Sequence, residues 1–195
     1  MSGSPRRADA VRNRGLALEA ATALLAEPGA ALTVEAIAKE AGLGAATVVR
    51  AFGSKDALLD AAVAGLMRPV VQRARDLLAE TSPEQALRTF LAELIAFQSA
   101  HHAINDQLDG LALPAVTALR ADLVHAVEEM LDRARQDGAI RTDLDPALTT
   151  VLVGQATYGI ARSEAASPQL ADAFITVLMD GLRPPSPTER FPGRA

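Results

Sequence analysis

The sequence contains no cysteine and no tryptophan, and only one tyrosine and five phenylalanines in 195 residues. The absence of cysteine excludes a disulfide framework, a thiolate metal site and a cysteine nucleophile. Lysine is nearly missing as well: Lys39 and Lys55 stand against seventeen arginines. No long hydrophobic run is present. The longest uncharged stretch, Pro146 to Ala161, has 16 residues, whereas a bilayer span takes roughly 20 apolar ones. It therefore reads as a buried helix, and no membrane partner is expected. Arg6 and Arg7 are followed by Asp9, Arg12, Arg14 and Glu19 rather than by an apolar core, so no signal peptide is indicated and a cytoplasmic location is expected. No stretch of β-branched residues alternates with period two. What fills the chain instead is alanine, 41 residues, the strongest helix former.

The net charge of −5 comes from 19 basic and 24 acidic residues. An acidic chain with few aromatics argues, on bulk numbers, against a nucleic-acid binder. The distribution changes that reading. Residues 1–60 hold seven basic and seven acidic side chains, while residues 61–195 hold twelve and seventeen and so carry the whole excess. Within 1–15, four arginines (6, 7, 12 and 14) oppose Asp9 alone. Such a segment either reaches a minor groove or phosphates, or is a plain charged end.

Helical spacing and stop signals predict an all-α fold with helices over 6–26, 34–41, 45–51, 55–80, 83–103, 114–137, 146–165 and 168–182, and a short one near 104–109, about nine in all. Ser82-Pro83-Glu84-Gln85 has the form of a capping box with Pro at the first helical position. Asp145-Pro146 and Ser167-Pro168 repeat the cap-then-Pro signal, and Asp109-Gly110 and Asp137-Gly138 read as helix ends or turns. Pro69 falls inside the 55–80 pattern, as a flex point or a fixed bend. Residues 1–5 and 184–195, the latter with four prolines, are predicted to be disordered.

The first sixty residues are the most informative. Thr33 is placed to cap a short helix that Gly42 ends, and a second short helix follows from Ala45. Ile37, Ala38, Ala41, Leu43, Val48 and Phe52 supply a small shared core. Two short helices about a tight glycine turn form a helix-turn-helix layout, whose second helix enters the major groove. An ordinary helical hairpin has the same local pattern. Ser54 then caps the long helix.

The stretch from Arg12 to Leu59 resembles the N-terminal domain of the tetracycline-repressor (TetR) family of bacterial transcription regulators. The residues that carry the resemblance are Ala20-Ala21, Leu24, Thr33, Ile37-Ala38, Ala41-Gly42-Leu43, Thr47, Phe52, Ser54-Lys55, Ala57 and Leu58-Leu59. The segment from Gly138 to Pro146 also resembles the loop that often precedes the family's dimerisation helix. The chain departs from the family at Val49, where an aromatic that touches a phosphate is frequent, and at Ala51, where His is frequent.

The resemblance implies a helix-turn-helix DNA-binding domain over 6–53 and a helical effector-binding and dimerisation domain over 54–183. It implies a ligand-responsive regulator, by family default a repressor, that binds a palindromic operator on double-stranded DNA as a homodimer and is released by a small effector. The candidate DNA-contacting residues are Thr33, Gly44, Ala45, Ala46, Thr47, Val49, Arg50 and Lys55, with Arg6 and Arg7 in the N-terminal segment. Arg50 has the reach either for guanine O6 and N7 or for a phosphate. Ala45 and Ala46 are small enough to meet thymine methyls. Thr33, Thr47 and Lys55 are candidate phosphate contacts, with the N–H groups of the helix start near Lys55.

In the family a ligand pocket lies among the central helices, and Phe90, Leu94, Phe97, His101, Leu119, Leu123 and Met130 are the candidate liners. Their faces carry few charges, which favours an apolar or weakly polar effector. The helices over 146–165 and 168–182 are the candidate dimer interface, through Val151, Leu152, Gln155, Tyr158, Gly159, Leu170, Phe174, Val177, Leu178 and Gly181. The alternative for these helices is burial within one chain. His101, His102, Asp106 and His125 do not assemble into the four ligands of a structural metal site, so no metal and no cofactor are expected. No nucleophile–base pair, phosphate loop or cofactor motif argues for an enzyme. The remaining alternative is a helical interaction or small-molecule-binding module with weakened DNA binding.

Overall fold

The structure is a computed structural model that describes residues 5–27, 29–108 and 111–185. Among the described residues it is all-helical: α1 (Pro5–Ala26), α2 (Val34–Glu40), α3 (Ala45–Phe52), α4 (Lys55–Glu80), α5 (Pro83–Ala100), α6 (His102–Gln107), α7 (Pro114–Gln136), α8 (Pro146–Ala161) and α9 (Pro168–Leu182). The expected disorder of 1–4 and 186–195, and the Asp109-Gly110 turn, fall outside the described residues. Pro5 is not part of a disordered end: it opens α1. No helix among the described residues is long and apolar enough to cross a membrane.

The local signals set most helix ends. Thr33 Oγ1 accepts from Ala36 N at 3.1 Å, Ser54 Oγ from Ala57 N at 3.1 Å, Asp145 Oδ1 from Leu148 N at 2.9 Å and Ser167 Oγ from Leu170 N at 3.2 Å. Each removes one of the orphan donors of a first turn. The predicted box at Ser82 closes on one side only. Ser82 Oγ accepts from Gln85 N at 3.4 Å, but the Gln85 amide donates forward to Thr89 Oγ1 at 3.1 Å instead of reaching back. That choice keeps both groups on the exposed helix face at i, i+4.

Two predicted helices differ from those observed. The one over 83–103 ends at Ala100, and after His101 a separate α6 begins. Tertiary contacts override propensity here. Ile104 and Leu108 are buried, and the Gln107 amide donates to Leu25 O at 3.2 Å and Glu27 O at 2.9 Å, covering carbonyls at the end of α1. The helix over 146–165 stops at Ala161. Ser163 Oγ there accepts from Ala165 N at 3.2 Å, giving the chain a local partner outside the helix ladder. At Pro69 the chain does not break: α4 runs through it, although Pro69 has no N–H to give the carbonyl four residues earlier.

The chain divides into two compact units, Met1–Pro69 with His101–Arg120, and Val70–Ala100 with Ala121–Ala195. In the first unit α1, α2 and α3 pack on one another and α6 packs on α1. Its buried side chains include Ala17, Ala20, Ala21, Leu25, Ile37, Ala38 and Val48 from these helices, Leu58, Leu59, Ala62, Val63, Ala64 and Met67 from α4, and Ile104, Leu108, Leu113 and Val116 beyond them. In the second unit α5 packs on α8 and α9. Its core includes Leu87, Phe90, Leu91, Met130, Leu131, Ile140, Val153 and Met179. The buried threonines of α8 cost little, because Thr149, Thr150 and Thr157 each donate to the carbonyl four residues back.

Candidate nucleic-acid interface

The turn between α2 and α3 is fixed by backbone geometry. Gly42 sits at φ 65°, in the left-handed region that side chains disfavour. With it, Leu43 N reaches Ala38 O at 2.8 Å and Gly42 N reaches Lys39 O at 3.2 Å, the paired bonds of a Schellman end. The chain then enters α3 through Gly44, whose extended φ of −76° and ψ of 140° make it the N-cap. Thr47 N bonds Gly44 O at 2.8 Å. α3 turns Val48 inward to 2% exposure. The opposite face therefore carries Ala46, Val49 and Arg50 to the surface, with Ala45 and Thr47 half-buried at its flanks.

A further tie holds α1 against the end of α3. Arg14 Nη1 donates to Ala51 O at 2.6 Å, and its guanidinium lies over the Phe52 ring, 4.1 Å from the centroid. A cation on the last carbonyls of a helix is favourable electrostatically. Arg14, which the sequence groups with the cations of the N-terminal segment, is thus engaged in holding the head together. The signal for that role was weak, because the partners are 37 residues away in sequence.

The other candidate residues are all in the first unit. Thr33 is exposed; its oxygen accepts the cap bond, which leaves the hydroxyl proton for an external acceptor. Arg50 is exposed, and its Nε donates to Ala46 O at 3.2 Å. Lys55 is half-buried at the first position of α4, and Asp56 shares that turn. Arg6 and Arg7 are exposed on α1, so the N-terminal segment is helical rather than extended. Arg12 sits 3.6 Å from Asp9 in an exposed pair.

This arrangement can bind a duplex: a short helix with an exposed face, held at a fixed angle by a tight turn, with side-chain and backbone donors at neighbouring helix starts. The comparisons agree with it. Residues 17–62 match the family described as bacterial regulatory proteins, tetR family, and residues 82–184 match the SbtR-like transcriptional regulator C-terminal domain of that family.

The chain belongs to the TetR family.

TetR-family proteins are DNA-binding transcriptional regulators that respond to ligands, typically as dimers and without enzymatic activity. The solved structure of a TetR regulatory protein from Mycobacterium vanbaalenii is 33% identical, with a TM-score of 0.63 over 92% of this chain and 99% of that one. A TetR regulator from Streptomyces coelicolor is 28% identical, with a TM-score of 0.64 over 89% and 99%. The regulator FadR from Bacillus subtilis, solved with stearoyl-CoA, shares the fold at 19% identity, with a TM-score of 0.73 over 87% and 99%. No curated protein sequence matches the chain.

The remaining candidate residues of this TetR-family chain divide between the units. Phe90 and Met130 are fully buried in the core of the second unit, Leu94 is nearly so, and Leu123 packs against that core. Phe97 is half-buried in the same unit, whereas half-buried His101 and Leu119 belong to the first. A groove of about 590 Å³ on the second unit is lined by none of these, but by residues of α7 and the start of α8. Of the candidate interface residues, Val151, Leu152, Gln155, Tyr158, Gly159, Val177 and Gly181 are exposed, and Leu170 is half-buried. Phe174 and Leu178 pack partly against the chain's own core. Among the described residues no group of three or more His, Asp or Glu is placed to hold a metal; the side chain of Asp106 lies outside the described residues.

Besides Arg14, two positions were not evident from the sequence. Asp60 is 7% exposed, and its carboxylate accepts from Ala115 N at 3.0 Å and Val116 N at 2.9 Å, capping α7 from α4. An acid inside the apolar run Leu58, Leu59, Ala62, Val63 was the available signal. Gln107, the last residue of α6 and bonded to the end of α1, had none.

Proposed function

We propose that this protein is a cytoplasmic repressor that binds a palindromic operator as a homodimer and is released by a small apolar or weakly polar effector. In this reading residues 6–53 form the DNA-binding head and 54–183 the effector and dimerisation region. The observation that carries it is the capped, glycine-turned pair α2–α3 with Ala46, Val49 and Arg50 on the outer face of α3. Arg50 reads a base edge or grips a phosphate; Thr33, Thr47 and Lys55 hold phosphates, and Gly44, Ala45 and Ala46 allow close approach. Arg6 and Arg7 add sequence-independent attraction. Two heads would engage half-sites about one DNA turn apart, ~34–36 Å. Support for the dimer comes from large apolar side chains left in solvent: Leu148 at 64%, Leu152 at 66% and Val177 at 72% exposure. The apolar effector rests on the aromatic and aliphatic character of the candidate liners of the second unit, Phe90, Leu94, Phe97, Leu123 and Met130. An effector need shift the equilibrium by only ~1–3 kcal/mol to act as a switch.

The second reading, an interaction module with weakened DNA binding, is favoured by Val49 alone: an aliphatic side chain, 45% exposed, stands on the outer face of α3 and offers no donor. Fluorescence anisotropy with the DNA upstream of the protein's own coding region separates the two. Binding that falls steeply with salt, as counterion release demands, supports the repressor. Absent or salt-indifferent binding overturns it in favour of the module.

A further inference from the structure

α3 is a short helix with little to hold it. It has eight residues, a length of about 12 Å, and only Val48 among them is buried. One buried side chain fixes a point but not a direction. The start of α3 takes its direction from the backbone of the glycine turn: Leu43 N bonds Ala38 O at 2.8 Å and Thr47 N bonds Gly44 O at 2.8 Å. The far end takes its direction from α1. Ala51 O accepts from Arg14 Nη1 at 2.6 Å, and the same guanidinium covers the half-buried Phe52 ring, 4.1 Å from its centroid. One rigid planar group thus makes two directed contacts on consecutive residues of the last turn. Arg12, two positions earlier, turns instead to Asp9 of its own helix.

We propose that Arg14 is a positioning residue for DNA recognition: it grips the end of α3 rather than the duplex, and so sets the angle at which Ala46, Val49 and Arg50 are presented. The inference rests on the operator-binding reading above and names what holds the reading helix at its working angle.

Geometry makes this contact matter more to reading than to folding. A tilt of ~10° about the glycine turn would carry the end of a helix ~12 Å long by about 2 Å. The heavy-atom distance of an N–H···O bond spans only about 0.5 Å, from roughly 2.7 to 3.2 Å. Arg50, in the last turn, would lose its partner on the duplex at such a tilt. The fold would lose only an exposed hydrogen bond and a ring contact, and its main core would be untouched. A lysine at this position would keep the charge and reach the carbonyl, but it could not lie flat on the ring.

Arg14→Ala is compared with the unchanged protein by amide hydrogen exchange and by anisotropy titration of two duplexes. One is the DNA upstream of the protein's own coding region, the other a scrambled duplex of the same composition. Exchange is expected to quicken about ten-fold at Gly53 N–H, as local opening requires; this group bonds Val49 O at 2.7 Å at the end of α3. Leu43 N–H, at the start, is expected to be unchanged. Binding of the upstream duplex is expected to fall about ten-fold, the order of one lost base contact. Binding of the scrambled duplex and the salt dependence are expected to hold, and Arg14→Lys to recover part of the loss. Equal losses on both duplexes, with a salt slope shallower by about one, would make Arg14 a phosphate contact and overturn the proposal. Equal quickening at Gly53 and Leu43 would also overturn it, since that marks a head that is merely less stable. A preference for the upstream duplex that Arg14→Ala leaves intact overturns the positioning role alone. An unchanged protein with no such preference overturns the operator reading with it.

Discussion

The two compact units reach order by different means. In the second, bulky side chains do most of the work: Phe90, Leu87, Leu91, Met130, Leu131 and Met179 are almost fully buried in one cluster, the pair of Arg73 and Glu93 lies at its surface, and Ser99 Oγ donates to Ala161 O at 3.1 Å at the end of α8. In the first, the buried side chains of α1 are mostly alanine, and directed polar bonds join distant helices. Arg14 reaches the end of α3, Gln107 the end of α1, and Asp60 the start of α7. Alanine lets helices approach closely but buries little apolar area, at ~25 cal/mol per Å². Hydrogen bonds that terminate helices add only about 0.5–1.5 kcal/mol each, but they fix orientation as well as proximity.

The largest effect should come from breaking the cluster. Phe90→Ala is expected to cost ~3–5 kcal/mol through lost transfer energy and the cavity left behind, measured by urea denaturation. A loss below ~1 kcal/mol would mean that the second unit does not depend on volume in the way described. Next comes Asp60→Ala, which leaves two backbone N–H groups without partners at about 1–3 kcal/mol each. Hydrogen exchange should quicken at Ala115 and Val116, and Asp60→Asn, which keeps an acceptor, should lose less. Equal losses for the two variants would show that one neutral acceptor does not hold α7 and that the second oxygen or the charge is essential.

Arg50→Ala sharpens the comparison differently. It should leave the melting temperature unchanged and reduce operator affinity, by ~1–3 kcal/mol together with sequence preference if Arg50 reads a base. A uniform loss across sequences assigns Arg50 to a phosphate. Smaller again is Arg73→Ala: the pair with Glu93 is exposed, so less than about 1 kcal/mol is expected in the same urea titration.

The smallest effect is in acid. The hydrogen bond from Arg141, two contacts of 2.7 Å, holds the Asp143 carboxyl below its ordinary value of 3.8. A depressed carboxyl contributes stability that is complete above the unfolded value and is lost as pH falls through the folded one. The Arg141–Asp143 loop should therefore loosen only below pH 3.8, a change visible by NMR titration; loosening at neutral pH would contradict it.

These contrasts explain what could be read in the sequence. Thr33, Gly42, Ser54, Asp145 and Ser167 act on residues within a turn of themselves, so spacing alone reveals them, and the α2–α3 unit was legible almost residue by residue. The end of the helix predicted over 83–103 was not, because what turns α6 away is a hydrogen bond from Gln107 to carbonyls 80 and 82 positions earlier. Arg14 was visible as a cation, but its engagement by Ala51 and Phe52 was not. Exposure of the outer face of α8 was hidden for the opposite reason: periodicity registers that a helix is apolar all round, not which side its own chain leaves bare.

Asp60 has a consequence for how the sequence can drift. Its carboxylate holds backbone N–H groups, so the side chains at 115 and 116, here Ala and Val, take no part in the bond and are free to vary on that account. Their place in the chain is not free. Inserting one residue between Leu113 and Ala115 would rotate the first turn of α7 by about 100° and carry the two donors away from the acid. A lineage of such proteins should thus tolerate substitution at the start of α7 far better than it tolerates a change of length there, while keeping a short acceptor at position 60.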